Sequence, residues 1–234
     1  PNEEEVSWST QIIKAFEAPE NARKGGITVE GKMVERLHLV MAKRVVTIAE
    51  GALFECWAHE ACFAPIEDYA LHHAQRPARA SHWAHRSATR VRSEHGPSLE
   101  RLLAHVREQG PVKSSDFERR EGQGGGWWGW KAEKRWLEAL FALGELMVAR
   151  REGFQRVYDL RERVLGRASP DWAQAPQPTP EEAARAFTLQ AIEALGVSQA
   201  RWIHDYFRTG QRLRDDNLEP LVASGELVRV EVAD

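Results

Sequence analysis

Two groups of side chains have the types and spacing to do chemistry. In Cys56-Trp57-Ala58-His59-Glu60-Ala61-Cys62 an indole, an imidazole and a carboxylic acid stand close together. Glu60 with His59 can hold a water and take its proton, and Trp57 can stack on a planar ring. The competing reading is packing, with Trp57 and Phe63 in a core and Glu60 capping a helix. The flanking cysteines raise the question of a metal. On a helix, with a rise of about 1.5 Å per residue, they would lie about 9 Å apart along the axis, too far for one tetrahedral ion. No second cysteine pair exists, so no metal and no other cofactor is expected. The second group is cationic: Lys131, Lys134 and Arg135 in one stretch, Arg150, Arg151 and Arg156 in the next. Such groups bind phosphates and add salt-dependent affinity rather than sequence choice. A solvated helix face would have the same composition. Trp127, Trp128, Trp130 and Trp136 can stack on bases or pin a helix to a sheet. No Ser/His/Asp arrangement, Gly-x-Gly-x-x-Gly or P-loop is present.

The elements that must position these residues centre on Gly124 to Leu160. From Lys131 the apolar residues Trp136, Leu137, Leu140, Phe141 and Leu143 fall on one face of a helix, and Gly144 stops it. Two β-type runs follow, Glu145–Arg150 and Phe154–Leu160. The link Arg151-Glu152-Gly153 between them predicts a hairpin with basic residues at its tip. Helix, glycine stop and hairpin predict a winged helix-turn-helix, the helix suited to a major groove.

The charge pattern agrees. The chain of 234 residues has net charge −3, but the distribution is uneven. Residues 72–167 hold 19 Lys/Arg against 12 Asp/Glu, net +7; residues 1–71 and 168–234 are each net −5. A basic middle between acidic ends fits a localised phosphate-binding surface. Two cysteines and a start without a basic-then-apolar signal layout predict a cytoplasmic protein, and no apolar run reaches membrane length. The first residue is Pro, so a trimmed or incomplete chain is expected.

Taken in order, Trp8–Phe16 and Met33–Arg44 read as helices, and Val45–Ile48 is a β-branched run. Leu53-Phe54-Glu55 leads into a strand, Cys56–Ala64 into a strand turning to a short helix, and Ile66–His73 into a helix. Gln75–Pro97 is a solvated helix or a loop, and Pro97-Ser98 opens a helix to Gln109. Ser114-Ser115-Asp116 caps a short helix, Asp116–Arg120, and Arg161–Leu165 adds one turn. Residues 168–180, with Pro170, Pro176, Pro178 and Pro180, form a linker. Three helices are expected beyond it: Pro180–Leu195, Ser198–Phe207 and Leu213–Ala223. A strand, Glu226–Val232, should follow. Helix–Gly110–helix–helix–Gly144-Glu145-Leu146 thus repeats as helix–Gly196–helix–helix–Gly225-Glu226-Leu227. The expected fold is α+β, mostly α, of tandem winged helix-turn-helix domains. Residues 1–71 form a degenerate winged-helix-like region, 72–167 a central winged helix with the basic surface, and 181–234 a second winged helix whose wing is incomplete.

Four phrases in order carry a family resemblance: Leu53-Phe54-Glu55-Cys56-Trp57-Ala58-His59-Glu60-Ala61, Trp127-Trp128-Gly129-Trp130-Lys131, Gly144-Glu145-Leu146-Met147-Val148 and Gly153-Phe154-Gln155-Arg156-Val157-Tyr158-Asp159-Leu160. Together they resemble the bacterial winged-helix DNA glycosylases of the AlkZ/YcaQ crosslink-repair type. The resemblance implies tandem winged helices around a channel for double-stranded DNA, and release of alkylated purines, crosslinked ones included, by N-glycosidic hydrolysis. The family's Gln-x-Asp or Gln-x-Gln signature precedes a phrase like Val34-Glu35-Arg36-Leu37-His38; here Ile27-Thr28-Val29 stands in its place. The alternative is therefore a catalytically inactive DNA-binding or regulatory module. A monomer with no membrane partner is expected in either case.

Overall fold

The computed structural model describes residues 3–58, 61–117, 131–153, 155–168, 171–210 and 212–231. The fold is α+β and mostly helical. It opens with α1 (Glu3–Glu17), whose Ile12 and Phe16 are buried. A hairpin follows, β1 (Gly26–Val29) and β2 (Lys32–Glu35), turning on Glu30 and Gly31, both at positive φ. Two left-handed residues are what the twist of a two-residue hairpin loop requires. Because Met33 and Val34 pair with Thr28 and Ile27, the helix expected from Met33 begins only at Arg36. This α2 (Arg36–Ala49) absorbs the β-branched run Val45–Ile48. Helix propensity penalises such residues by only some tenths of a kcal/mol each, less than a nascent helix loses by stopping.

The next hairpin pairs β3 (Leu53–Trp57) with β4 (Ala61–Pro65), Cys56 opposite Cys62. The helix expected before Pro65 is therefore strand. After a 3-10 turn, α3 (Tyr69–Ala74) packs Tyr69 on Phe54. Phe54, Ala64 and Tyr69 share a core with Met147 and Leu165, so this region is joined to the middle of the chain.

The Arg/His-rich stretch proves helical. α4 (Trp83–Gln109) has two limbs that meet at His95, whose φ of −132° and ψ of 24° are not helical. Pro97 explains the break: it donates no hydrogen bond and disfavours helical geometry just before it. Ala84, Ala88 and Val91 of the first limb and Leu99, Leu102, Leu103 and Val106 of the second are buried. After Gly110 come β5 (Val112–Lys113) and a 3-10 turn at Ser114–Asp116. The short helix expected over Asp116–Arg120 does not begin at Asp116, which closes the 3-10 turn with Phe117 extended after it; residues 118–120 lie outside the described residues. Then follow α5 (Ala132–Leu143), β6 (Leu146–Glu152), β7 (Gln155–Leu160) and α6 (Arg161–Ala168). The sheet order is β5-β7-β6, all antiparallel neighbours. Leu137 and Leu140 of α5, Leu99 and Val106 of α4 and Leu146 of β6 are fully buried together.

Beyond residue 171 come α7 (Pro180–Leu195), α8 (Ala200–Tyr206) and α9 (Asp215–Ala223). Thr179 caps α7 reciprocally with Glu182. The strand expected at Glu226–Val232 is absent from residues 226–231, whose first two N–H groups, Glu226 and Leu227, donate to Leu221 O at the end of α9. An isolated strand has no partner to satisfy its backbone groups. The glycine anchors still match in detail. Gly110 N–H donates to Val106 O and Gly196 N–H to Ile192 O, each four residues back. Gly144 and Gly225, at φ +75° and +77°, end α5 and α9 with the same two bonds: three residues back from the glycine, five from the glutamate after it.

Candidate nucleic-acid interface

Alternation along β3 sends Glu55 and Trp57 to one face, against α5 and the β6–β7 hairpin, while Phe54 faces the opposite core. Glu55 is almost wholly buried and accepts three charge-assisted hydrogen bonds. Two come from Arg151, Nε at 2.6 Å and Nη2 at 2.7 Å, and the third from Arg156 Nε at 2.8 Å. Arg156 continues to Glu138 through Nη1 at 3.0 Å, and the Tyr158 hydroxyl donates to the same carboxylate at 2.9 Å. Burial lowers the Arg156 pKa, but Glu138 and Glu55 outweigh it and hold the value above the ordinary one. Its guanidinium also lies 5.6 Å from the Trp57 ring and 5.1 Å from Phe141.

Two concavities flank this network. A shallow groove of about 230 Å³ runs between α5 and the hairpin, edged by Lys134, Arg151, Gln155 and Arg156. A cleft of about 510 Å³ opens on the other side, walled by Trp57 and Trp83, floored by Ala88 and Val91, and rimmed by Arg135 and Glu138. The two indoles meet edge to face at 5.0 Å, and Trp83 is half exposed. A planar apolar ligand can enter beside them, with cationic and anionic groups at the mouth.

The cationic residues singled out from sequence divide accordingly. Lys134, Arg151 and Arg156 converge on the groove, and Arg135 and Arg156 on the cleft. Lys131 instead donates to Phe117 O at 2.7 Å, and Arg150 binds Glu152. The hairpin tip is Gly153, at positive φ; Arg150 and Arg151 lie in the paired strand β6 rather than at the tip. Trp136 packs at the edge of the core, 6.0 Å from the His95 ring. His59, Glu60, Trp127, Trp128 and Trp130 lie outside the described residues. Sequence reasoning missed Glu55 and Trp83. A usable signal existed for Glu55: an acid inside the otherwise apolar run Leu53–Trp57 demands a cation.

Behind the cleft a second polar cluster fastens the parts together. Arg79 donates to Trp57 O at 3.3 Å and Phe207 O at 3.0 Å and contacts His72 Nδ1 at 3.2 Å. Arg76 donates to Leu143 O at 3.0 Å, capping the carbonyl end of α5 over Gly144. Burial, then Arg79 and Arg76, push the His72 pKa down to about 3, so its neutral ring accepts from Arg79. The two cysteines face each other across β3 and β4, Sγ to Sγ 3.7 Å, which overturns the helical separation. Their mutual hydrogen bond and burial push the Cys56 thiol pKa up. Among the described residues no three His, Cys, Asp or Glu side chains gather as metal ligands, and no helix is long and apolar enough to cross a membrane.

A family model described as DNA glycosylase AlkZ-like matches residues 35–234, all but the first segment of the chain. No solved structure matches it.

Proposed function

The chain belongs to the AlkZ-like DNA glycosylase family, and from that premise we propose that it grips duplex DNA with tandem winged helices and hydrolyses the N-glycosidic bond of an alkylated purine. Family membership points to DNA repair. In our division, residues 72–167 form the central winged helix, 181–234 the second, 168–180 the linker between them, and 1–71 a degenerate first unit. The order helix, β5, α5, β6, β7 with sheet order β5-β7-β6, and the matching caps at Gly144 and Gly225, support this division.

The observation that carries the reading is the cleft beside Trp57 and Trp83, next to the Lys134–Arg151–Arg156 groove. Phosphates held along the groove position the duplex, and an extruded base enters the cleft against the indoles. A purine alkylated at N7 or N3 carries positive charge, so the C1′–N bond breaks with its electron pair going to the base. Water adds to the oxocarbenium carbon and yields its proton to a carboxylate. Glu60, with His59, is our candidate for that carboxylate. Glu55 is excluded because two arginines occupy its oxygens, whereas Glu138 faces the cleft and supplies negative charge at its rim.

A second reading, DNA binding without cleavage, rests on one observation. Ile27 and Val29, in the place of the family's polar signature, are buried in β1 and offer no group to hold water. A duplex bearing a single 7-methylguanine separates the two. Alkali-labile abasic product that is lost in Trp57→Ala supports excision. Retardation of the duplex without product supports the second reading, and the absence of both product and retardation defeats both.

A further inference from the structure

The first limb of α4, residues 83–94, presents a face that the packing of the fold does not use. Ala84, Ala88 and Val91 are buried, whereas Trp83, Arg86, Ser87 and Arg90 are exposed. Residues three and four apart are neighbours on a helix, so the exposed four form one patch. Arg86 stands one turn beyond Trp83 and Arg90 one turn beyond Ser87, and both Trp83 and Ser87 wall the cleft of about 510 Å³. The other arginines of this region are engaged within the protein. Arg76 and Arg79 donate to carbonyls, and Arg92 pairs with Glu145 and Glu100. Arg86 and Arg90 have no side-chain hydrogen bond or ion pair among the described residues. Glu94, the one acid of the limb, lies a turn past Arg90 but contacts the His95 ring, 3.9 Å away. Across the cleft, exposed Arg135 stands on α5.

We propose that Arg86 and Arg90 hold two phosphates of the DNA strand whose base enters the cleft, with Arg135 facing them from the far wall. A guanidinium offers a fork of N–H donors that fits a phosphate bidentately, and the Ser87 hydroxyl adds a donor beside them. Four residues of helix rise about 6 Å, so the two forks stand in line along the limb and each can take a phosphate. From Trp83 to Val91 the limb has no acid, so nothing on that stretch offsets their charge. A nucleotide turned out of the stack brings its flanking phosphates to the mouth of the pocket it enters, and the mouth is where these arginines stand. Their role is placement of the strand, not choice of base. This rests on the DNA-binding half of the function proposed above and not on excision. It makes α4 a contact surface alongside the groove between α5 and the hairpin.

The test is binding of the full chain to a duplex with one 7-methylguanine, titrated between about 50 and 200 mM salt. Arg86→Ala combined with Arg90→Ala removes two phosphate contacts and should lower the slope of log K against log salt by about 1.8. The parent's advantage over this variant then shrinks about twelvefold across that range of salt. Alanine favours helix and both sites are exposed, so the variant keeps the fold, which circular dichroism checks. Uncharged methylphosphonates in place of the two phosphates flanking the lesion should lower the parent's slope by the same amount. They should leave the variant's slope where it is, because the same contacts are already gone. Arg107→Ala, exposed on the second limb, should hardly change the parent's slope. A double variant with the parent's slope overturns the proposal. A fall of about 0.9 for Arg107→Ala does so as well, since it means a diffuse cationic field. Arginine and methylphosphonate losses that simply add also overturn it, because the arginines then face other phosphates. In all three cases the parent still binds and DNA recognition stands, whereas a parent that binds no DNA defeats both readings.

Discussion

Replacing Glu55 by Gln tests whether the hairpin arginines are held by the fold before any DNA arrives. The carboxylate is 4 % exposed and meets three donors at 2.6 to 2.8 Å, while Arg156 is 13 % and Arg151 33 % exposed. Gln keeps the shape but loses the charge, and its amide nitrogen must face a guanidinium N–H. Breaking one side of a buried ion pair costs about 3–5 kcal/mol. Two reliefs lower the figure here: Arg151 can regain water, and Arg156 keeps Glu138 at 3.0 Å. The expected loss is about 3 kcal/mol, read as a shift of the urea midpoint at pH 7 or a fall of about 6–12 °C in Tm. Glu152→Gln is the control, because the pairs of Glu152 with Lys113 and Arg150 lie near water and the midpoint should barely move. A second readout is DNA binding. With Arg151 released, the slope of log K against log salt should steepen by about 0.9, the increment for one added phosphate contact. A stability loss below about 1 kcal/mol would mean that the buried carboxylate is not the anchor of the network. The bottom-up account of the β3–hairpin contact would then fail.

Three further outcomes follow from the same geometry. Gly144→Ala and Gly225→Ala impose the same positive-φ strain, about 1 kcal/mol. A Cβ at 144 would also lie 1.7 Å from the Arg76 guanidinium, which caps Leu143, whereas nothing stands within 4 Å at 225. Denaturation should show Gly144→Ala losing about twice as much as Gly225→Ala, and equal losses would contradict the Arg76 cap. His72 is neutral in the folded state down to about pH 3, whereas in the unfolded chain it takes a proton near 6.5. The unfolded state therefore binds more protons between those values, and stability falls as pH drops from about 6.5 toward 3, by at most about 1.4 kcal/mol per unit. His72→Asn should flatten that slope in urea titrations at pH 7 and 5; an unchanged slope would place the proton elsewhere. For DNA binding, Arg135→Ala at the cleft rim should reduce the salt slope by about 0.9, and Lys131→Ala, whose ammonium is tied to Phe117 O, by less. Equal effects at the two positions would indicate a diffuse cationic field instead of contacts set by the fold.

Local chemistry was legible in the sequence wherever one residue decides the outcome. Gly144, Gly196 and Gly225 end their helices because only glycine takes those dihedrals cheaply, and Pro180 with Glu181 and Glu182 in the first turn opens α7. The α5 stripe Leu137–Leu140–Phe141 and the β6–β7 hairpin were readable from periodicity for the same reason. Residues whose conformation depends on a distant partner were not. Met33 is strand because Thr28 lies opposite, and Cys62 faces Cys56 because β4 pairs with β3. Segment 226–231 alternates like a strand yet pairs with no described strand. Charge was the most misleading signal. Composition counts Arg150, Arg151 and Arg156 equally as phosphate ligands, but tertiary structure brings Glu55 and Glu138 to two of them and Glu152 to the third. The sequence alone thus determined where elements begin and stop and that the middle is basic. Which cations face solvent, and which aromatic residues line a cleft, was decided only when segments far apart in the chain met, because Coulomb and packing terms depend on separation in space.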